Sequence, residues 1–182
     1  MRYAIIIPLH IERRVKAHLF QSEIEQGAFL FARITESPEE LSLAIVDYCL
    51  IPAGAWEEQS EHYLELKDSE RARIMKLARD GNVAAIECHS HPGSGKRVWF
   101  SPSDCIGIAE FALYAKWKLD GKPYGAMVWG ESSVDAVIWH GEFVKPMKAD
   151  EVRIVGQQAK VFVPRGTWWG KETPSYTRKN LW

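Results

Sequence analysis

Two histidines one residue apart, in His89-Ser90-His91-Pro92, stand ten residues upstream of Ser101-Pro102-Ser103-Asp104. Two imidazoles and a carboxylate this close in sequence suggest a metal site with an open position. Side chains alternate along a strand, so His89 and His91 point to one face, about 6–7 Å apart along it, near enough to converge on one ion. A catalytic zinc takes three protein ligands and keeps its fourth corner for water, and imidazole with carboxylate suits zinc better than magnesium or calcium. Asp104 is the candidate third ligand. Each half also has an ordinary reading: His-x-His fits a half-buried strand, and Ser-Pro-Ser-Asp fits a helix start with Ser101 as N-cap, Pro102 at the first helical position and Asp104 closing a capping box. If the cap lies beside the strand end, one geometry satisfies both.

The elements needed to position these residues are readable on either side. Val83-Ala84-Ala85-Ile86 is apolar and partly β-branched, a buried strand running into the histidine pair, and Pro92-Gly93-Ser94-Gly95 breaks it into a loop. The Pro102 helix runs to about Leu119 and is apolar on most sides, which predicts a buried helix. Upstream, Tyr3 to Pro8 reads as a strand, Glu12 to Phe20 as a helix, Gly27 to Ile34 and Leu41 to Ile51 as strands, Tyr63 to Leu66 as a short strand, and Ser69 to Asp80 as a helix ended by Gly81. Downstream, Tyr124 to Trp129 and Val134 to Trp139 pair as a hairpin around Gly130-Glu131-Ser132-Ser133. The order is α/β, in the sense of an α+β mixture.

His-x-His-Pro, a loop and Ser-x-x-Asp resemble the signature of the JAMM, or MPN-plus, metalloproteases, which cut isopeptide or peptide bonds next to ubiquitin and ubiquitin-like proteins. The loop from Pro92 to Phe100 is nine residues, about two longer than the family's usual one. The resemblance covers roughly residues 10 to 140 and implies an MPN/JAB-like (cytidine-deaminase-like) fold, a curved mixed sheet flanked by helices. It implies Zn2+ on His89, His91 and Asp104, with Ser101 serving the oxyanion. The family also needs an upstream glutamate in a pattern like Glu-x-x-Gly-x-Leu-x-Gly. The corresponding stretch here is Glu25-Gln26-Gly27-Ala28-Phe29-Leu30-Phe31-Ala32, with alanine at both glycine positions. Glu25 is thus the expected general base, with Glu23 on the same strand parity. Glu87 shares a face with the histidines by alternation and is a second-shell residue or alternative base. Glu36, Glu39 and Glu40 read as solvated charge.

Length and composition fit this picture. With 182 residues, 46% of them hydrophobic, the chain can bury a full core, read as a catalytic domain over residues 1–145 and a C-terminal extension over 146–182. A formal net charge of −1 gives no electrostatic case for nucleic acid, and the basic runs Arg13-Arg14-Val15-Lys16 and Arg71-Ala72-Arg73 read as solvated helix faces. Cys49, Cys88 and Cys105 are an odd number without zinc-ribbon spacing, which fits a reducing cytoplasm. The apolar run near Met1 is too short for a membrane span or a signal peptide. His10, His18, His62 and His140 lack metal spacing, though His62 and His140 could line a groove. The stretch Pro164 to Trp182 holds three of the eight tryptophans among prolines and basic residues, and reads as a coil pinned to the body or a docking segment.

The expected activity is that of a zinc (iso)peptidase acting on a ubiquitin-like or sulfur-carrier protein. The compact chain looks prokaryotic, and bacterial relatives are often encoded with activating and conjugating enzymes, including in antiphage defence. A non-catalytic MPN scaffold is the alternative, although such relatives lack the ligands present here. A RadC-like DNA-repair-associated protein is a third, weakened by neutral charge and the absence of a helix-hairpin-helix segment.

Overall fold

The computed structural model describes residues 1–60, 64–142 and 145–164. His62, Tyr63 and the tryptophan-rich run beyond Pro164 therefore lie outside the described residues. The described residues form a mixed α/β structure with a curled nine-stranded sheet and three α-helices. In chain order the elements are β1 (Arg2–Pro8), α1 (Leu9–Leu19), β2 (Gly27–Glu36), β3 (Glu40–Leu50), β4 (Trp56–Gln59), β5 (Leu64–Leu66), α2 (Asp68–Asp80), β6 (Ala84–Ser90), α3 (Pro102–Lys118), β7 (Tyr124–Trp129), β8 (Val134–Trp139), β9 (Met147–Lys148), β10 (Glu151–Val155) and β11 (Lys160–Phe162).

The large sheet runs β11-β10-β1-β3-β2-β6-β7-β8-β9, and β4 pairs with β5 in a small separate sheet. Three neighbouring pairs are parallel, namely β1 with β10, β1 with β3, and β6 with β7. The connection from β6 to β7 passes through α3. This β-α-β passage matters most for function, because a ligand site in such sheets forms where strands end and the following helix begins.

Alternation along the strands divides the apolar side chains between two cores. On one face Ile5, Ile7, Leu30, Leu43, Ile86 and Met127 pack with Ile11, Val15 and Leu19 of α1. On the other, Phe29, Phe31, Ala85, Ala126 and Val128 pack with Ile74 and Met75 of α2 and Ile108, Phe111 and Ala115 of α3. Burying a side chain such as Leu30 or Ile86 contributes about 1.5–3 kcal/mol, and the two layers together hold the sheet as a fixed platform.

The strands and helices anticipated through residue 139 are all found within a few residues, apart from those outside the described residues. Two features differ. α3 is buried on one side only: Ile106, Leu113 and Trp117 face outward, Trp117 with 70% of its surface exposed. Its apolar content alone suggested burial all round, but among the described residues no third layer covers the outer face. β4 and β9–β11 were not foreseen. Of these, β10 lies parallel to β1 in the main sheet, so the expected boundary at residue 145 falls between β8 and three strands that continue that sheet. No helix among the described residues is long and apolar enough to cross a membrane.

Gly27, the first residue of β2, stands in register with His89. A Cβ there would sit 2.5 Å from Cη2 of Trp56, so the ring lies where no larger residue could be. Overpacking of this kind costs about 1–3 kcal/mol. Gly27→Ala is expected to lower stability by about that much in urea unfolding. Gly107→Ala, at a helical position with open space, should raise it by about 0.5–1 kcal/mol.

Candidate metal centre

His89 lies near the end of β6, held against β2 on one side and β7 on the other. Its register partners are Gly27 and Val128. Beyond Ser90 the chain leaves the strand, but its backbone stays pinned: the Ser90 N–H donates to the Gln26 carbonyl at 3.0 Å, and the His91 N–H donates to the Trp129 carbonyl at 2.9 Å. The Ser90 hydroxyl is buried and accepts from the Gln26 N–H at 3.0 Å. The pair of imidazoles is therefore fixed by main-chain bonding on both sides.

The carboxylate arrives from the N-terminus of α3. Ser101 is the N-cap, and its hydroxyl accepts from the Asp104 N–H at 3.2 Å while Asp104 Oδ2 accepts from the Ser101 N–H at 2.6 Å, a complete capping box. The same Oδ2 lies 3.3 Å from His89 Nε2 and 3.2 Å from His91 Nε2, and the two Nε2 atoms are 3.2 Å apart. Two metal bonds of about 2.05 Å at a tetrahedral angle separate their ligand atoms by about 3.3 Å, so the triangle has the size that one zinc ion requires. Donor chemistry fits as well, since two imidazole nitrogens and one carboxylate oxygen are ligands that zinc takes readily. His89, His91 and Asp104 are also the one group among the described residues with three ligand atoms mutually within 4.8 Å.

Glu25 precedes β2 and is brought to this triangle by the pairing of β2 with β6. Its Oε1 is 3.4 Å from His91 Nε2, the side chain is buried, and its carbonyl accepts from the Gln59 amide at 2.9 Å. Glu23 is exposed and lines an open cleft together with Glu25, His91, Pro92 and Ser101. Ser101 is thus beside the cleft. Its oxygen accepts from the Asp104 N–H and is 2.9 Å from the Ser103 hydroxyl, a pair in which either hydroxyl can donate.

Glu87 has another setting. It shares the face of His89, as alternation requires, but its carboxylate takes a hydrogen bond from the Tyr124 hydroxyl and lines an inner cavity, outside the ligand triangle. Burial raises its pKa, an effect that the Tyr124 bond partly opposes. Cys88 points to the opposite face, into the α1 core, and burial pushes its thiol far up. Cys105 is buried too, with its pKa raised by burial and the nearby acids to about 12. All three cysteines are free thiols.

Around Asp104, burial opposes ionisation, but His89, hydrogen bonds from both imidazoles and the Ser101 N–H together hold the carboxyl far below the usual range. For His89, burial lowers the pKa, while Asp104, Glu25 and Glu87 outweigh it and leave the imidazole raised.

Among the described residues, His18 and His140 have partners outside this cluster. His18 Nε2 is 3.1 Å from the Gly27 carbonyl, and His140 pairs with Glu36 at 3.2 Å beside Tyr3. Glu36 is about half exposed, as expected of a solvated charge, and has this histidine as a neighbour.

Four contributors were not singled out from sequence. Trp56 lies against Gly27, and Arg71 lines the inner cavity rather than a solvated face. Asp135, which interrupts an apolar strand, is buried and aligned through Val128 with His89. Glu131 clamps the loop after the histidines: its carboxylate accepts from the Gly93 N–H at 2.6 Å and the Gly95 N–H at 3.1 Å. A hydrogen bond to its own backbone, and then these two bonds, lower its pKa. Gly93 and Gly95 adopt φ of +77° and +66°, a backbone region that favours glycine, and their spacing within Pro-Gly-Ser-Gly was the available signal for a tight, clamped loop.

The chain matches no protein-family model, and no curated protein is similar to it.

The geometry fixes the sign of a pH dependence. His89 is raised above the ordinary imidazole value of 6.5, so the stability that its protonated form contributes is complete below that value and is lost as pH rises through the folded pKa. Glu87, also raised, acts in the same direction, because folding disfavours its ionised form. The melting temperature of metal-free protein is expected to fall as pH rises, from above about 4.5 through Glu87 and from above about 6.5 through His89. Asp104→Asn should remove the part due to His89, and Glu87→Gln the part due to the buried acid. Zinc affinity, measured by competition with a chromogenic chelator, should rise over the same interval, because the ion displaces a proton from His89.

Proposed function

We propose that the protein is a zinc-dependent (iso)peptidase of JAMM type that cleaves after a ubiquitin-like or sulfur-carrier protein. The observation that carries this reading is the triangle of His89, His91 and Asp104 ligand atoms, all 3.2–3.3 Å apart, with the Glu25 carboxylate next to it. The curled mixed sheet, with a helix on one face and two on the other, agrees with the MPN/JAB-like fold that the motif implies.

A bound zinc ion would acidify a water molecule and polarise the scissile carbonyl. Glu25, buried beside His91 and bordering the open cleft, is the group placed to accept the proton and to deliver it to the leaving amine. Ser101, its oxygen oriented by the Asp104 N–H, donates to the developing oxyanion, where loss of one donor costs about a hundred- to a thousandfold in turnover. Glu87, bonded to Tyr124, supports the site from behind and does not act as base. The substrate approaches along the cleft between Glu23, Pro92 and Ser101. The ubiquitin-like substrate and partnering activating or conjugating enzymes follow from the motif's resemblance, and a cytoplasmic setting follows from three cysteines that form no disulfide.

Incubation with ubiquitin-like or sulfur-carrier proteins fused to a reporter, with and without chelator, tests the reading. Cleavage should require zinc, return when zinc is restored, and fall by at least about a hundredfold in Glu25→Gln while zinc still binds one per chain. Ser101→Ala should lose turnover similarly and cost about 0.5–2 kcal/mol of stability through the lost cap. Chelator-insensitive cleavage, or a wild-type rate in Glu25→Gln, overturns the mechanism. Stoichiometric zinc with no cleavage of any such fusion would favour the non-catalytic scaffold.

A further inference from the structure

Next to the ligand triangle lies a partly open cavity of about 150 Å³, with Glu25, His89 and Asp104 in its wall on the metal side and Trp56, Arg71 and Phe111 among the residues of the rest. Its size narrows what it can hold. An apolar cavity of about 150 Å³ accepts a benzene-sized group, whereas pockets for drug-sized molecules run to about 300–1,000 Å³. The space therefore suits one residue of a longer substrate.

Two donors mark its chemistry. Arg71, at the start of α2, places its guanidinium carbon 5.1 Å from the centroid of the Phe111 ring and has no ion pair or side-chain hydrogen bond among the described residues. Its neighbour Arg73 differs, being bonded to Glu70 at 2.8 Å and to the Cys49 sulfur at 3.5 Å. The indole N–H of Trp56 is buried and likewise has no partner among the described residues. Glu87 feels the charge of Arg71 but forms no ion pair with it, its bonded partner being Tyr124. A guanidinium held half-buried over an aromatic face, in a cavity wall that also contains a tryptophan with an unspent buried N–H, is a receptor for a carboxylate, which guanidinium matches with two parallel hydrogen bonds.

We propose that this cavity is the specificity pocket of the site, taking a single carboxylate-bearing substrate residue beside the cleaved bond, with Arg71 and the Trp56 indole holding the carboxylate. The proposal rests on the hydrolase reading for the scissile bond, but the pocket can be tested without turnover. Arg71 acts as a specificity-determining residue, and the aromatic and aliphatic walls supply the apolar contact. The carboxylate belongs either to a free chain terminus or to an acidic side chain.

The test uses zinc-loaded protein, with zinc content measured independently, and follows the Trp56 indole N–H by NMR during titration with benzoate or the isosteric benzamide. A hydrogen-bonded charge contributes about 1.5–3 kcal/mol, so benzoate should bind about ten- to a hundredfold more tightly than benzamide. Arg71→Met should abolish the preference, and Arg71→Lys should retain part of it. Competition by acetyl-Ala-Phe with a free carboxylate, acetyl-Ala-Glu-amide and the neutral acetyl-Ala-Gln-amide then assigns the source of the carboxylate. Equal affinity for benzoate and benzamide, a preference that survives Arg71→Met, or charged peptides no better than the glutamine peptide would each overturn the proposal. A chain that takes up no zinc yet shows the Arg71-dependent preference would count against the hydrolase reading and leave the carboxylate pocket standing.

Discussion

One carboxylate oxygen joins the architecture to the chemistry. Asp104 Oδ2 accepts the Ser101 N–H at the start of α3 and stands within 3.3 Å of both imidazole nitrogens at the end of β6. Without that shared atom, α3 would be a capped helix beside a strand. With it, the helix start and the strand end are locked at ligand distance. The cost of burying the carboxylate is offset by several donors, which is the condition under which a buried charge is tolerated.

The rest of the structure can be understood as keeping this contact in place. The two cores fix the sheet between α1 on one face and α2 with α3 on the other, so β6 cannot slide relative to its neighbours. Register is decisive because a one-residue slip would turn His89 from the site to the α1 core, where Cys88 now lies. Pairing of β2 with β6 brings Glu25 to the histidines, and absence of a side chain at Gly27 admits Trp56 alongside. The turn after β7 then steadies the loop beyond His91 through Glu131.

Much of this was legible in the sequence because it is written in short-range patterns. Histidine spacing gave a shared face through alternation, and Ser-Pro-Ser-Asp gave the cap through side-chain hydrogen bonding over three residues. Glu25 was reached only through resemblance to a family pattern, since nothing local ties a glutamate before β2 to a histidine in β6. Arg71 was misjudged as solvated because a charge on a helix is read by its neighbours in sequence, whereas its setting is made by Phe111, on another helix. The outer face of α3 was misjudged for a related reason: apolar content says that a side chain can be buried, and the number of surrounding layers decides whether it is. β9 to β11 are short, and β10 owes its place to pairing with β1, almost the whole chain away.

The pairing of Gly27 with His89 has a kinetic side. It joins segments separated by about sixty residues and an intervening helix, and contacts of such long range form slowly because the loop between them must first be closed. Before that pairing, the nascent chain presents a histidine pair and a capped helix as separate local features. After it, those features share one centre with an acid from the far end of the loop. An ion that prefers the assembled three-ligand centre to a lone histidine pair would therefore act as a sensor of completed folding, stabilising by mass action only those chains whose sheet has reached its final order.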